Sequence, residues 1–274
     1  MSNSDKLFSH NGQPGLWLDY FDYAGRLLAN GAPPWLSEAD VIAWLRKAQG
    51  LLRSQVIMLP LDRLCGVWLE SHPLLAEAMA KRQRSTFALK TLLADEALRA
   101  YLTSLARSLR DSFAETPIVL RCPSPALWIQ QAWSAVNDEP LAVGNEDIDS
   151  AAVYSADFLR AFGDVGLDAL LLQESELTEA TDITLYRPLF NVAAHYRWAT
   201  GLLAPTGQLI EGSESLGFVI SPQASGDKGG QYLATDYWQQ TDPVAESAAA
   251  FRYAQIPADA EPEIVLQRLA ALRA

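Results

Sequence analysis

Charged and amide residues recur in this chain where short apolar runs stop. Asp19 lies in LWLDYF (16–21), Asp62 and Arg63 follow VIMLPL (56–61), Arg121 follows PIVL (117–120), and Gln173 and Glu174 follow ALLL (169–172). PLFNVA (188–193) contains Asn191 and runs toward His195, Ser221 follows GFVI (217–220), Asp236 follows Gln231–Leu233, and Arg252 begins the last run. Such a mixture can grip a carboxylated small molecule bidentately through arginine and move a proton through a carboxylate or an imidazole. Glu174 and His195 are the candidates for proton transfer. Arg63, Arg121, Gln173, Asn191 and Asp236 are candidate substrate contacts. Among the eight tryptophans, Trp238 is the one expected to face a ligand, because it adjoins Asp236 and Tyr237. Trp35, Trp44, Trp128 and Trp133 lie in helical patterns and read as packing.

Other chemistries lack their signatures. The chain contains no GxGxxG, no GxxxxGK[ST], no HExxH and no GxSxG, which removes the usual marks of dinucleotide, P-loop, zinc-protease and serine-hydrolase sites. GDKGG (226–230) reads as an ordinary flexible loop. His10, His72 and His195 are scattered and no Cys/His pair accompanies them, so no metal and no cofactor is expected. Cys65 and Cys122 have no evident base partner. They read as small buried hydrophobes of a reducing compartment.

Composition narrows the partners. Of 274 residues, 49% are hydrophobic and 20% charged, enough apolar surface to exclude intrinsic disorder. The formal charge of −12 argues against non-specific nucleic-acid binding and against adsorption to anionic membranes. The opening MSNSDKLFSHNGQPG is polar, and no run of about 18 apolar residues occurs. The expectation is a cytoplasmic protein with a small-molecule substrate, in which a homodimer is the commonest symmetric state.

The elements that position these residues alternate. Ser37 opens a helix with Glu38 and Asp40 in its first turn, and Val41, Ile42, Leu45, Ala48, Leu51 and Leu52 recur at helical spacing. Residues 73–115 read as mostly helical with a break near Lys90–Asp95, and 125–136 and 151–162 as further helices. In the second half, 188–193 reads as a strand, 195–203 as a helix, 242–250 as a short helix, 252–256 as the last strand and 261–272 as the last helix. Eight strands with helices between most of them predict a parallel sheet closed as one (β/α)8 TIM barrel over residues 1–274, with a doubly wound open sheet as the alternative. In that fold the C-terminal strand ends form the site, which is where the polar residues above stand.

Several of these segments resemble the uroporphyrinogen decarboxylase superfamily, which also contains cobalamin-independent methionine synthase and corrinoid-related methyltransferases. Residues 259–265 (DAEPEIV) look like the segment opening the family's last helix, 166–175 (GLDALLLQES) like its Asp/Glu-Ser strand, and 117–133 like the strand leading into an aromatic-rich helix. Residues 55–64 (QVIMLPLDRL) look like the strand ending in the decarboxylase's substrate-binding aspartate, which gives that role to Asp62. Ala24-Gly25-Arg26 is similar to the end of the family's N-terminal arginine signature and adds Arg26 as a substrate contact. The departures are specific. Asp22 replaces the signature's first arginine, Ala254 stands in place of a histidine, and Asn191 and Ala193 stand where the methyltransferase branch carries a zinc-binding His-x-Cys. The resemblance therefore implies a metal-free decarboxylase or carbon–carbon lyase for a small carboxylated substrate. In it Asp62 would stabilise a protonated intermediate, and Arg26, Arg63 or Arg121 would hold a carboxylate. Methyl transfer without zinc is the alternative, and a non-catalytic metabolite- or partner-binding barrel the third expectation.

Overall fold

Runs such as Ile57-Met58-Leu59-Pro60 and Ala169-Leu170-Leu171-Leu172 have no polar face and are buried throughout. As strands they must be covered on both sides, which a parallel barrel beneath a helical layer provides. The computed structural model describes residues 7–10, 13–174, 182–207, 212–239 and 248–273. A two-residue strand β1 (Ser9–His10) pairs antiparallel with β2 (Gln13–Asp19). Helices α1 (Phe21–Ala29) and α2 (Glu38–Leu52) lead to β3 (Ile57–Pro60). Four helices follow, α3 (Leu61–Ser71), α4 (Pro73–Met79), α5 (Phe87–Leu93) and α6 (Glu96–Ser112). The expected break falls before α6, where the Asp95 carboxylate caps the helix by accepting from the Leu98 N–H at 2.7 Å. Next come β4 (Ile118–Pro123), α7 (Pro125–Ser134), α8 (Asn145–Leu159), β5 (Ala169–Gln173), α9 (Arg187–Tyr196) and β6 (Ala199–Leu203). The chain then forms β7 (Phe218–Ser221), β8 (Gly226–Leu233), β9 (Ala249–Gln255) and α10 (Pro262–Leu272).

Strands β2 to β9 are parallel and run in the order β2-β9-β8-β7-β6-β5-β4-β3. The ends of this sheet meet where the Gln55 N–H donates to Leu16 O at 2.8 Å and the Leu18 N–H to Ser54 Oγ at 3.0 Å. The result is a nearly closed (β/α)8 TIM barrel, as the alternation of elements predicts.

Two segments of the second half differ from the sequence reading. Residues 188–193, expected as a strand, belong to α9, and 195–203, expected as a helix, contain β6. Pro188 sits in the first turn of α9, and Leu189, Val192 and Ala193 bury one helical face. The Gly-rich segment expected as a loop is the first part of β8. Of the expected helix 242–250, residues 242–247 lie outside the described residues, and Ala249 and Ala250 belong to β9.

Glycine in these strands has a packing reason. Trp17, Phe218 and Phe251 meet inside the barrel, with Trp17 at 5.3 Å from the Phe218 ring and 4.6 Å from that of Phe251. A Cβ on Gly201 would lie 2.1 Å from the Phe218 ring, and one on Gly230 would lie 2.4 Å from that of Phe251. Small residues therefore make room for large ones across the barrel. Phe8 stacks on Phe251 at 5.5 Å, and the Trp17 indole donates to Leu7 O at 2.8 Å. The segment before β2 thus closes the N-terminal end. The C-terminal end stays open, and the period of two along each strand carries Asp19, Leu203, Tyr232 and Tyr253 to the layer above this aromatic plug.

Candidate functional site at the barrel mouth

Above the plug is a cavity of about 310 Å3 lined by strand ends and the first turns that follow them. β2 supplies Asp19, β4 Arg121, β5 Gln173 and then Glu174, β6 Leu203, β8 Tyr232, and β9 Tyr253 and Gln255. Asp62 and Arg63 stand in the first turn of α3, and Leu127 and Gln131 come from α7.

An ion cluster dominates the floor. Arg121 is 4% exposed and Asp19 is 3% exposed. The two are joined directly, Arg121 Nη1 donating to Asp19 Oδ2. Nη2 reaches Asp62 Oδ1 at 3.4 Å, and the Tyr253 phenol stands beside the same guanidinium. Burial opposes the Arg121 charge, but Asp19, Asp62 and Tyr253 outweigh it and raise its pKa. Burial, reinforced by Asp19, raises the Tyr253 phenol, so it stays protonated. Arg63 is likewise taken, donating to Asp22 Oδ1 at 2.5 Å. On the opposite side Glu174, 5% exposed, accepts from the Tyr186 hydroxyl at 2.7 Å and from Ser124 Oγ at 3.0 Å. Two hydroxyl donors on one buried carboxylate satisfy its ionised form and fix its orientation. Among the described residues, Asp19, Asp62 and Glu174 of the lining and Asp22 beside it therefore stand against Arg63 and Arg121, four carboxylates to two guanidiniums. Both guanidiniums are engaged, and the negative excess remains at the mouth.

The structure gathers Asp62, Arg63, Arg121, Gln173 and Glu174 as expected from the strand-end pattern. It does not bring the other candidates to them. His195 and Asn191 are exposed on α9, in the outer helical layer. There they line a cleft of about 760 Å3 between α5, α8 and α9 to which no described strand contributes. Their strand-end assignment fails because PLFNVA is helical. Its alignment with a zinc-binding His-x-Cys fails with it, since Asn191 is exposed, Ala193 packs in the buried face of α9, and neither lines the mouth cavity. Arg26 is exposed on α1 and donates to Ala258 O at 2.9 Å. Asp236 is exposed in a 3-10 turn (Thr235–Trp238) after β8 and does not line the cavity. Trp238 is buried beside Tyr237, its indole donating to Gln255 O at 2.7 Å, so it braces β9 instead of facing a ligand. Arg252 turns outward and donates to Leu272 O at 3.3 Å. Ser124, Tyr186, Tyr232, Tyr253, Gln131 and Gln255 belong to the site but were not singled out by sequence. For Tyr253 and Gln255 the signal existed, an alternation in phase with Phe251.

Zinc does not fit this donor set. Among the described residues no three His, Cys, Asp or Glu side chains converge on a metal position. Cys65 and Cys122 are free and buried, as expected, and burial pushes both thiols upward in pKa, away from the thiolate that ligates metal or attacks carbon.

No protein-family model matches the chain, and no curated protein matches it. Among solved structures it is similar to a methyltransferase from Methanosarcina mazei, with a TM-score of 0.54 and 12% identity over 95% of this chain and 91% of that chain. At this identity the likeness is one of fold. No described helix is long and apolar enough to cross a membrane.

Proposed function

We propose that this chain is a methyltransferase-like barrel enzyme whose mouth takes a small cationic substrate, an onium compound or a protonated amine. One observation carries the reading: among the described residues both mouth arginines are already neutralised by aspartates. An entering carboxylate would have to displace Asp19 or Asp62 from Arg121, and breaking a buried pair costs about 3–5 kcal/mol. A cation meets the opposite situation. It gains Coulomb energy from Asp62 and Glu174, and the Tyr232 and Tyr253 rings, stacked at 5.8 Å in the cavity wall, supply π surface of the kind that binds quaternary ammonium groups. A decarboxylase needs a free cationic grip on its substrate, and no arginine lining the described mouth is left to give one.

The likeness of fold to a methyltransferase favours methyl transfer as the reaction, on the footing of analogy. The bond from an onium nitrogen or sulfur to its methyl breaks, and the methyl bonds to a protonated nucleophile. The donor leaves neutral, and Glu174 takes the acceptor's proton. The carboxylates bind the donor's charge, which the transfer removes, so they also favour release of the neutral product. A thermal-shift panel tests the reading. Small methylated ammonium and sulfonium compounds raise the melting temperature by mass action, whereas mono- and dicarboxylates leave it unchanged. Stabilisation by carboxylates alone contradicts the proposal. Proton NMR of the stabilising compound, incubated with enzyme and candidate nucleophiles, then reports whether its methyl signal moves to an acceptor.

A further inference from the structure

A second cavity of about 370 Å3 opens beside the mouth, between α3 and α7. It shares Asp62, Arg63 and Gln131 with the polar cavity, so the two adjoin at a charged edge. Beyond that edge its character changes. Leu92, Trp128 and Ala132 form walls that are almost fully buried beneath the helical layer. Gly66 of α3 borders the groove, and a Cβ built there meets no atom within 4 Å. Glycine inside a helix costs about 1 kcal/mol relative to alanine, and no turn or close contact demands it here. What Gly66 leaves is open space against an apolar wall.

From this adjacency we infer that the ligand is an amphiphile. Its cationic head sits at Asp62 and the floor of the mouth, and a short alkyl or aromatic arm lies in the groove between α3 and α7. The inference rests on the cationic reading of the mouth and adds the second half of the substrate. Asp62 is the hinge of the arrangement, among the described residues the one carboxylate that borders both cavities. A head held there directs its arm either to bulk water or along Trp128 and Leu92, and the hydrophobic effect selects the latter.

Calorimetric titration with tetramethylammonium, butyltrimethylammonium and 1-pentanol, on wild type and Gly66→Phe, tests this. The phenylalanine occupies the groove, while the added helix propensity protects the fold, and Gly66→Ala serves as a variant that leaves the groove open. Each methylene buried is worth about fourfold in affinity, so butyltrimethylammonium should bind wild type on the order of fifty-fold tighter than tetramethylammonium. Gly66→Phe should abolish that gain and leave tetramethylammonium unchanged. Equal affinity for the two ammonium compounds, or a gain that survives Gly66→Phe, overturns the apolar arm and leaves the cationic mouth standing. Pentanol binding that Gly66→Phe blocks, with no binding of either ammonium ion, overturns the cationic mouth and the amphiphile together. So does the absence of binding by all three.

Discussion

Asp19 and Arg121 show how one residue sets the electrostatics of the mouth. Each is buried, and each is tolerable only because of the other. Asp19→Ala leaves the Arg121 charge in a cavity floor with Asp62 at 3.4 Å as its remaining carboxylate. It should cost about 3–5 kcal/mol in urea unfolding, and a loss below about 1 kcal/mol would mean that the pair is not buried in solution. Tyr186→Phe removes one of two hydroxyl donors from Glu174. A hydrogen bond to a charged group is worth about 1.5–3 kcal/mol, so Tyr186→Phe should destabilise by that order. Ser124→Ala should act in the same direction. The thiols make a third prediction at this scale. Because burial raises the pKa of Cys65 and Cys122, neither ionises near pH 8, and a native sample should resist alkylation there while a denatured one takes up label at both. His195→Ala, on the outer helix, should leave ligand binding at the mouth unchanged.

The elements explain which parts of the site were legible in sequence. β3, β4 and β5 are continuous apolar runs ended by polar residues, and a fully buried parallel strand has no other way to look. Asp62, Arg121, Gln173 and Glu174 followed from that pattern alone. β6 and the Gly-rich first part of β8 escape it because each carries glycine at the point where Phe218 or Phe251 fills the barrel, whereas Gln231–Leu233 at the end of β8 reads as a run. Their signal lies in a partner strand, outside any local window. α9 was mistaken for a strand because six apolar-leaning residues fit either period, and that error carried Asn191 and His195 to the wrong side of the wall. Trp238 and Asp236 were misjudged for a related reason. A strand end names the rim, but only the following turn decides whether a side chain faces the cavity or braces its neighbour. The packing account predicts that Gly230→Ala and Gly201→Ala each cost about 1–3 kcal/mol by overpacking, readable as a shift in denaturation midpoint. Retention of full stability would mean that the aromatic rings have room to move.

For the whole molecule, the fold brings together groups of the first and second halves of the chain, as β2 pairs with β9 and Tyr253 stands beside Asp19 and Arg121. The net charge of −12 and the carboxylate excess at the mouth have the same sign. Cations are therefore drawn toward the open end, and this attraction should weaken as ionic strength rises. The central claim is that the mouth selects a cation over a carboxylate. The most direct test is calorimetric titration of the wild-type protein with tetramethylammonium and with succinate at low salt, repeated on Asp62→Asn. Tetramethylammonium should bind, succinate should not, and Asp62→Asn should weaken the first by about tenfold or more, the loss of one close charge contact. Succinate binding to wild type with no response to tetramethylammonium would contradict the account.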